Sequence, residues 1–445
     1  MTGKIALSSV SLIFACGTAL FSDGYANNVI GSVLKHIYGT GSDGITTNYS
    51  TTLSSVAFAG TVVGMFTFGY LSDKAGRKFG MMSATGIVAV FSGLSSASSG
   101  ANNSLDGMLA MLIACRFLLG IGIGAEYPCG SVSASEQSEE EGIAKNSQHQ
   151  WLVLATNTMI DFGFVIGAFV PLVLYWIFGD NHLRAIWCLS LGLGVVPATG
   201  VFFWRLHMEE PNRYKCDSMK HVHIPYRLVI KRYWHGLLGI SLAWVTGGNS
   251  SLTVVFGWSV VINLFYIPGT VIGAFFVDLM GPKATMITGL LTQAVIGFIM
   301  SGLYTQLSQH VAAFAVGPGN CVGVVAAKSG PTAVRGQYYG VAAATGKIGA
   351  FIGTWVFPVM IKDFGGSSSA KGNTGPFWFA SGLAILSAII VYFLVTPLDH
   401  DGMKKEDAKF RQYLAEHGFD VSRMGLPKTE ITGSAVKDTD SATKV

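Results

Sequence analysis

Five charged side chains fall where a charge is expensive. Asp23, Arg116, Glu126, Asp161 and Lys347 lie inside long, mostly apolar runs of a 445-residue chain that is 50% hydrophobic and only 12% charged. A lysine at the centre of a bilayer costs about 3 kcal/mol on insertion scales, so ionisable groups there mark functional sites by default. Asp161 is about 10 residues into its run and Lys347 about 11 into its own, which at 1.5 Å per residue puts both roughly 15 to 17 Å deep. That depth is the midplane of a hydrocarbon core about 30 Å thick. Facing each other across a central cavity, the two could neutralise one another when the site is empty, and Lys347 could pair with an anion when one enters. Asp23 and Glu126 are candidate proton sites, because a carboxyl in a low-dielectric cavity can load a proton on an acidic side and release it on the other. Each also has a plainer reading: Asp23 as a polar residue near a helix end beside Asn27 and Asn28, Glu126 as one end of a structural hydrogen bond. Trp244 belongs either to the wall of the same cavity or to an interfacial belt.

The elements that must carry these residues are transmembrane helices. Apolar runs near 7–30, 52–72, 80–98, 107–130, 151–178, 183–204, 252–279, 284–306, 336–361 and 376–396 are long enough to cross, and weaker ones lie near 236–246 and 309–327. With the weak runs numbered as spans seven and ten and the N-terminus inside, the inner loops hold fourteen Lys or Arg and the outer loops four, a positive-inside bias. Three glycosylation sequons, at Asn48, Asn102 and Asn249, all fall in outer loops on this topology. The expected layout is an all-α polytopic membrane protein: a six-helix bundle over 1–204, a basic inner loop over 205–235, a second bundle over 236–396 and a disordered inner tail over 397–445, in which Phe410 to Phe419 could form an amphipathic stretch. The six cysteines show no metal-ligand spacing, and no nucleophile elbow, zinc helix or phosphate loop is present, so neither a metal, a cofactor nor an enzyme activity is expected. "GIGIGA", Gly120 to Ala125, lies in an apolar helix with no preceding strand and reads as close helix packing, not a dinucleotide loop.

The two halves are repeats. "GYLSDKAGRK", Gly69 to Lys78, and "FFVDLMGPK", Phe275 to Lys283, each place a glycine three residues after an aspartate, Asp73 or Asp278, and a lysine five after it. Each aspartate also follows a glycine by nine residues, Gly64 or Gly269, and the offset between the aspartates is 205 residues. This is the mark of a duplicated half.

The first of these stretches resembles the loop between helices two and three of the major facilitator superfamily, where Gly69 permits close approach, Gly76 a tight turn, and Asp73 with Arg77 a charge pair that tethers helix ends in one access state. "RFLLGIGIGAEYP", Arg116 to Pro128, is similar to the matching helix of the phosphate:proton symporter branch. "FSDGYANNVIGS", "EQSEEEG", "GPGNC" and "SGPTAVRGQYYG" look like the fungal glycerophosphoinositol permeases of that branch. The resemblance runs from about Phe14 to Pro397. It implies two six-helix bundles, a lysine (Lys347) that contacts phosphate, hydrogen bonds to phosphate from Tyr127 and Asn320, and either a coupling role for Arg116 or a bond to a neighbouring carbonyl.

The function this implies is proton-coupled import of a glycerophosphodiester, glycerophosphoinositol or glycerophosphocholine, across the plasma membrane by a monomer that needs no nucleic-acid partner. Inorganic phosphate symport is the alternative; Glu126 and Asp161 stand where phosphate carriers tend to have aspartate and glutamine. A sugar or drug carrier gives Lys347 no use. A further expectation concerns length: the run 236–246 supplies only about 16 Å of helix. The distance from Asp278 to Lys347, 69 residues, is also 19 short of that from Asp73 to Asp161, 88 residues. Spans seven and ten are therefore expected to be shortened, which leaves an inactive or sensor isoform as another reading.

Overall fold

The computed structural model describes residues 7–37, 47–140, 142–247, 256–303, 322–366, 369–397 and 402–427. Among these residues there is no strand, and eight helices are long and apolar enough to cross a membrane. Span one is two helices, Leu7–Gly17 and Phe21–Ile37, joined by the turn Thr18–Leu20. Spans two to six are Thr47–Lys74, Arg77–Ser96, Leu105–Ser138, Lys145–Phe178 and Leu183–Leu206. Spans seven to nine are Tyr226–Gly247, Phe256–Met280 and Pro282–Gly302. Span ten is described only over Val322–Lys328; spans eleven and twelve are Arg335–Asp363 and Ala370–Leu394.

Apolar side chains face lipid on the outside of this bundle, so they cannot drive helices together; close backbone approach does. At the crossing of spans one and five a Cβ on Gly24 would sit 2.0 Å from the Ile160 carbonyl oxygen, and one on Gly163 2.1 Å from that of Phe21. The "GIGIGA" stretch works the same way, Gly120 lying against Ala57 and Gly124 against Thr61 of span two. Its glycines pack helices, as the sequence indicates.

Local breaks aim functional side chains. Span four widens into a π turn at Tyr127–Ser131. Pro128 there has no N–H to donate, so the regular ladder is interrupted. Span five breaks at Thr156, one residue before its long segment Asn157–Phe178.

Two expectations change. The helix of span seven starts earlier than its apolar run: residues 226–235, expected as loop, are helical, and Tyr226–Gly247 makes 22 residues, about 33 Å of helix, although it is not among the eight helices long and apolar enough to cross. The added turns are basic and aromatic and pack through Leu228, Val229 and Tyr233 beneath the central loop, so a hydropathy window misses them. Residues 248–255 and most of span ten, 304–321, lie outside the described residues. The tail also differs. Residues 402–427 carry a helix, Gly402–Glu416, that buries Met403, Asp407, Phe410 and Leu414. The spacing of these residues makes one helical face, and it packs with Met219, Ile224 and Val334 in a satellite core beneath the central loop. The stripe overlaps the amphipathic stretch around Phe410 to Phe419 and begins two turns before it.

Candidate functional site

Lys347 meets Asp23. Its Nζ lies 3.0 Å from Asp23 Oδ2, with the two side chains 17% and 3% exposed. The same carboxylate oxygen accepts from the Tyr127 hydroxyl, and Asn27 Nδ2 donates to Oδ1 at 2.7 Å. Three donors thus converge on one buried carboxylate. The ammonium also sits over two aromatic faces, 5.1 Å from the Tyr127 ring and 5.5 Å from Phe58, where the ring quadrupoles attract a cation. Tyr339 extends this wall: its ring is 6.5 Å from Tyr127 and 5.7 Å, edge-on, from Trp244. Trp244 packs on Gly346, where a Cβ would meet its Cδ1 at 2.4 Å, so Lys347 and Trp244 occupy adjoining turns of contact between spans eleven and seven.

Asp161 is not the partner of Lys347. It hydrogen-bonds to Thr270 of span eight, and its Oδ2 has no hydrogen-bond partner. Equal depth in equivalent spans was the reason to pair them; depth alone does not fix which way a helix faces, and span one, at the interface of the halves, brings Asp23 closer.

At the loop end of the molecule the two repeats make matching tethers. Asp73, at the end of span two, accepts from the backbone amides of Gly336 and Gln337 at 3.0 and 2.9 Å and from Gln337 Nε2 at 3.0 Å, capping span eleven of the other bundle. Asp278, at the end of span eight, accepts from the amides of His149 and Gln150 at 3.1 and 2.7 Å, capping span five. A carboxylate on a helix N-terminus satisfies orphan donors and complements the helix dipole.

Around the first tether lies a buried charge network. Arg77 reaches Asp73 at 2.5 Å and Glu136 at 3.1 Å, and Arg335 reaches Glu136 at 3.1 Å. Arg77 also donates to the Thr332 carbonyl. Gly76, at φ +124°, takes a turn L residues rarely adopt, and a Cβ there would sit 2.4 Å from Glu210 Oε1. Glu210 in turn accepts from the amides of Arg77 and Lys78, and its burial pushes the carboxyl up. A Cβ on Gly69 would approach the Gly336 carbonyl oxygen to 2.9 Å. The tail helix adds Asp407, which accepts from the Thr332 amide and hydroxyl at 2.7 and 2.8 Å.

Comparison with known proteins fits this architecture. The chain matches the family described as "Sugar (and other) transporter" over residues 10–223 and 248–410. It belongs to that family. It is similar to the "Glycerophosphodiester transporter GIT2" of Candida albicans, 41% identical over 99% of this chain and 89% of the relative. It is also similar to the "Glycerophosphocholine permease GIT4" of the same organism, 42% identical over 95% of this chain and 85% of the relative. Its fold is that of the major facilitator proton:xylose symporter XylE, at 18% identity, a TM-score of 0.68, and coverage of 90% of this chain and 98% of that one. The chain is thus a transporter and an integral membrane protein, not an enzyme. The GIT2 alignment runs over 480 positions against 445 residues here, so at least 35 positions of the relative face no residue of this chain. The family match also skips residues 224–247, which include span seven.

The remaining site residues of this family member fall as follows. Glu126 pairs with Arg205, Oε1 to Nη1 at 2.7 Å, both buried. Arg205 also donates to the carbonyls of Ala15 and Met81, so it ties three helix ends together. Arg116 donates to the carbonyls of Leu53 and Ala26 at 3.1 and 3.3 Å, and its Nη2 has no partner. Asn102 is exposed, in a one-turn helix at φ +54°. Asn249 and Asn320 lie outside the described residues, as does the side chain of Asn48. Sequence reading passes over Phe58 and Tyr339 and gives no site role to Arg205, Asn27 or Glu136. The aromatics look like ordinary membrane residues, and only the "EQSEEEG" fragment drew attention to Glu136.

Proposed function

We propose that the chain imports a glycerophosphodiester together with a proton, by rocking one bundle against the other around the Lys347 site. The observation that carries this is the sharing of Asp23 Oδ2 between Lys347 and Tyr127. A phosphodiester oxygen entering the cavity competes for the same two donors, and Lys347 and Tyr127 turn from Asp23 to the substrate. Asp23 is left as a buried carboxylate without a counter-ion, a costly state. Taking a proton from the outer side relieves it. When the molecule opens inward and the substrate leaves, Lys347 returns, the ionised form of Asp23 is favoured again, and the proton departs. One negative charge on the diester and one proton thus travel together, with Lys347 paired in both states.

Relatives named for glycerophosphodiester and glycerophosphocholine transport support the substrate class. Asp161, a midplane acid with an unpartnered oxygen, favours an organic ester carrying hydroxyls or a cation over a free phosphate dianion, which it would repel. Glu126, held by Arg205, acts in this scheme as a strut between helix ends and Asp23 as the proton carrier. The tethered loop end is placed in the cytoplasm, with both termini there, in the plasma membrane of a monomeric carrier. The tethers at Asp73 and Asp278 then hold the cytoplasmic side shut, and the cycle breaks and remakes them.

Uptake of labelled glycerophosphoinositol, in cells lacking their own carriers, tests the substrate. Excess glycerophosphocholine should compete and excess inorganic phosphate should not; strong competition by phosphate would favour a phosphate symporter.

A further inference from the structure

The two cytoplasmic tethers have the same backbone geometry and different side chains. At the start of span eleven the chain reads Arg335-Gly336-Gln337, and at the start of span five Gln148-His149-Gln150. The amides that cap Asp73 and Asp278 come from the second and third residue of each triplet. In the first tether the extra side-chain bond comes from the carboxamide of Gln337, which does not titrate. In the second it comes from an imidazole: His149 Nδ1 lies 2.8 Å from Asp278 Oδ1, with the side chains 1% and 6% exposed. Histidine is the side chain whose ordinary titration falls in the cytoplasmic range of pH.

We propose that His149 makes the second tether a sensor of cytoplasmic acid, which holds the inward gate shut when the cytoplasm is already acidified by proton-coupled import. The proposal rests on the orientation and proton coupling given above for its purpose, but not on the identity of the substrate. Neutral His149 can donate Nδ1–H to Asp278 as an ordinary hydrogen bond. Protonated, it becomes a charge pair within a buried interface, and charge-assisted bonds are roughly twice as strong. Opening the gate separates His149 from Asp278, so the closed state binds the proton more tightly, and by linkage a fall in cytoplasmic pH populates the closed state.

The neighbouring charges set the size of the effect. Lys328, from span ten, feels the Asp278 charge and opposes a second cation, but it is engaged by Glu139 at 3.2 Å. Glu139 is in turn held by Arg213 at 2.7 Å. Lys145 precedes His149 by four residues on the same strip of chain. The first helix of span one, packed on the other side, carries no charged residue between Leu7 and Gly17, and Asp161 lies three turns further along span five. The segment Val132–Ser138 of span four also packs on the helix that carries His149 and holds Glu136, which is engaged by Arg77 and Arg335; Asp278 is the acid that bonds the His149 ring.

The test needs no substrate. Spin labels at positions 207 and 284, on exposed ends of the two bundles, report the distance across the cytoplasmic gate in the full chain reconstituted in nanodiscs. Between about pH 7.5 and about pH 6 the closed-to-open ratio should rise about fivefold, half of the tenfold change that one unit of altered proton affinity produces. His149→Gln, which keeps a neutral donor, should abolish that dependence while leaving a gate that still closes. His149→Arg, a fixed cation, should hold the ratio high at every pH. A pH-independent ratio in the unmodified chain would overturn the proposal, as would an unchanged pH dependence in His149→Gln. Because only the gate is read, failure here leaves the Lys347 transport reading standing, and loss of that reading leaves this result interpretable.

Discussion

Lys347 Nζ and Asp23 Oδ2 stand 3.0 Å apart across the seam between the two bundles, one on span eleven and one on span one. In the proposed mechanism, an anion that takes Lys347 breaks this pair, and substrate binding and protonation would thereby become one event. Replacing Asp23 with Asn removes the charge that must be neutralised. Asp23→Asn should therefore lose uptake driven by a pH gradient and keep exchange of labelled for unlabelled substrate. Gradient-driven accumulation equal to that of the unmodified chain would remove Asp23 from the coupling step.

Tyr127 contributes a single hydroxyl to the same oxygen. A hydrogen bond to a charged group is worth about 1.5 to 3 kcal/mol. Tyr127→Phe, which keeps the ring under the ammonium, should raise KM for the diester about tenfold with a smaller change in maximal rate. An unaltered KM would mean the hydroxyl serves Asp23 alone.

The gate is a buried charge network, and removing one partner leaves others uncompensated. Such losses cost about 3 to 5 kcal/mol. Arg77→Ala, which leaves Asp73 with its amide donors but without this cation and Glu136 with Arg335 in place of two arginines, should shift the population towards the inward-open state and reduce uptake by at least about tenfold. Substituted-cysteine accessibility of span eleven from the cytoplasmic side, unchanged by Arg77→Ala, would show that the network does not hold the gate.

Much of this was legible beforehand, for physical reasons. Lys347, Asp23 and Asp73 stood out because a charge in an apolar run or a repeated Asp-x-x-Gly is improbable without a use. The partner of Lys347 was not legible: depth follows from the rise per residue, whereas azimuth depends on helix crossings set by contacts such as Gly24 on span five. Arg205 was counted as a loop charge because it ends an apolar run, although its guanidinium turns back to Glu126. Residues 226–235 read as loop because their apolar residues form a one-sided stripe that a hydropathy window averages away, and the tail reads as disordered because polar and charged residues surround its one amphipathic stretch.

The tail helix should respond to pH. Burial pushes the Asp407 carboxyl up, with Arg335 and the Thr332 bonds opposing. Its proton is thus held more tightly in the docked state than in the free tail. By linkage, the stabilisation is complete at low pH and is lost as pH rises through the raised value. Hydrogen exchange over 402–416 should slow on moderate acidification, and Asp407→Asn should remove most of that change while preserving docking. Faster exchange on acidification would reverse the sign of the argument.

Chain length bears on activity. At least 35 positions of a close relative have no counterpart here, and the Asp278 to Lys347 interval is 19 residues short of its repeat. Sequencing the transcript should reveal a dominant message with additional codons near spans seven and ten, and its product should transport faster than the 445-residue chain. A dominant message encoding the present junctions, with normal uptake by its product, would contradict this.

The central claim is that Lys347 holds the phosphodiester while a proton accompanies it. The most direct measurement is accumulation of labelled glycerophosphoinositol by proteoliposomes under an imposed pH gradient, acid outside, for the unmodified chain and for Lys347→Ala inserted to the same level. The unmodified chain should accumulate label above equilibrium, and a protonophore should abolish the gradient-driven excess; Lys347→Ala should not accumulate label at all. Equal accumulation by the two proteins would contradict the account.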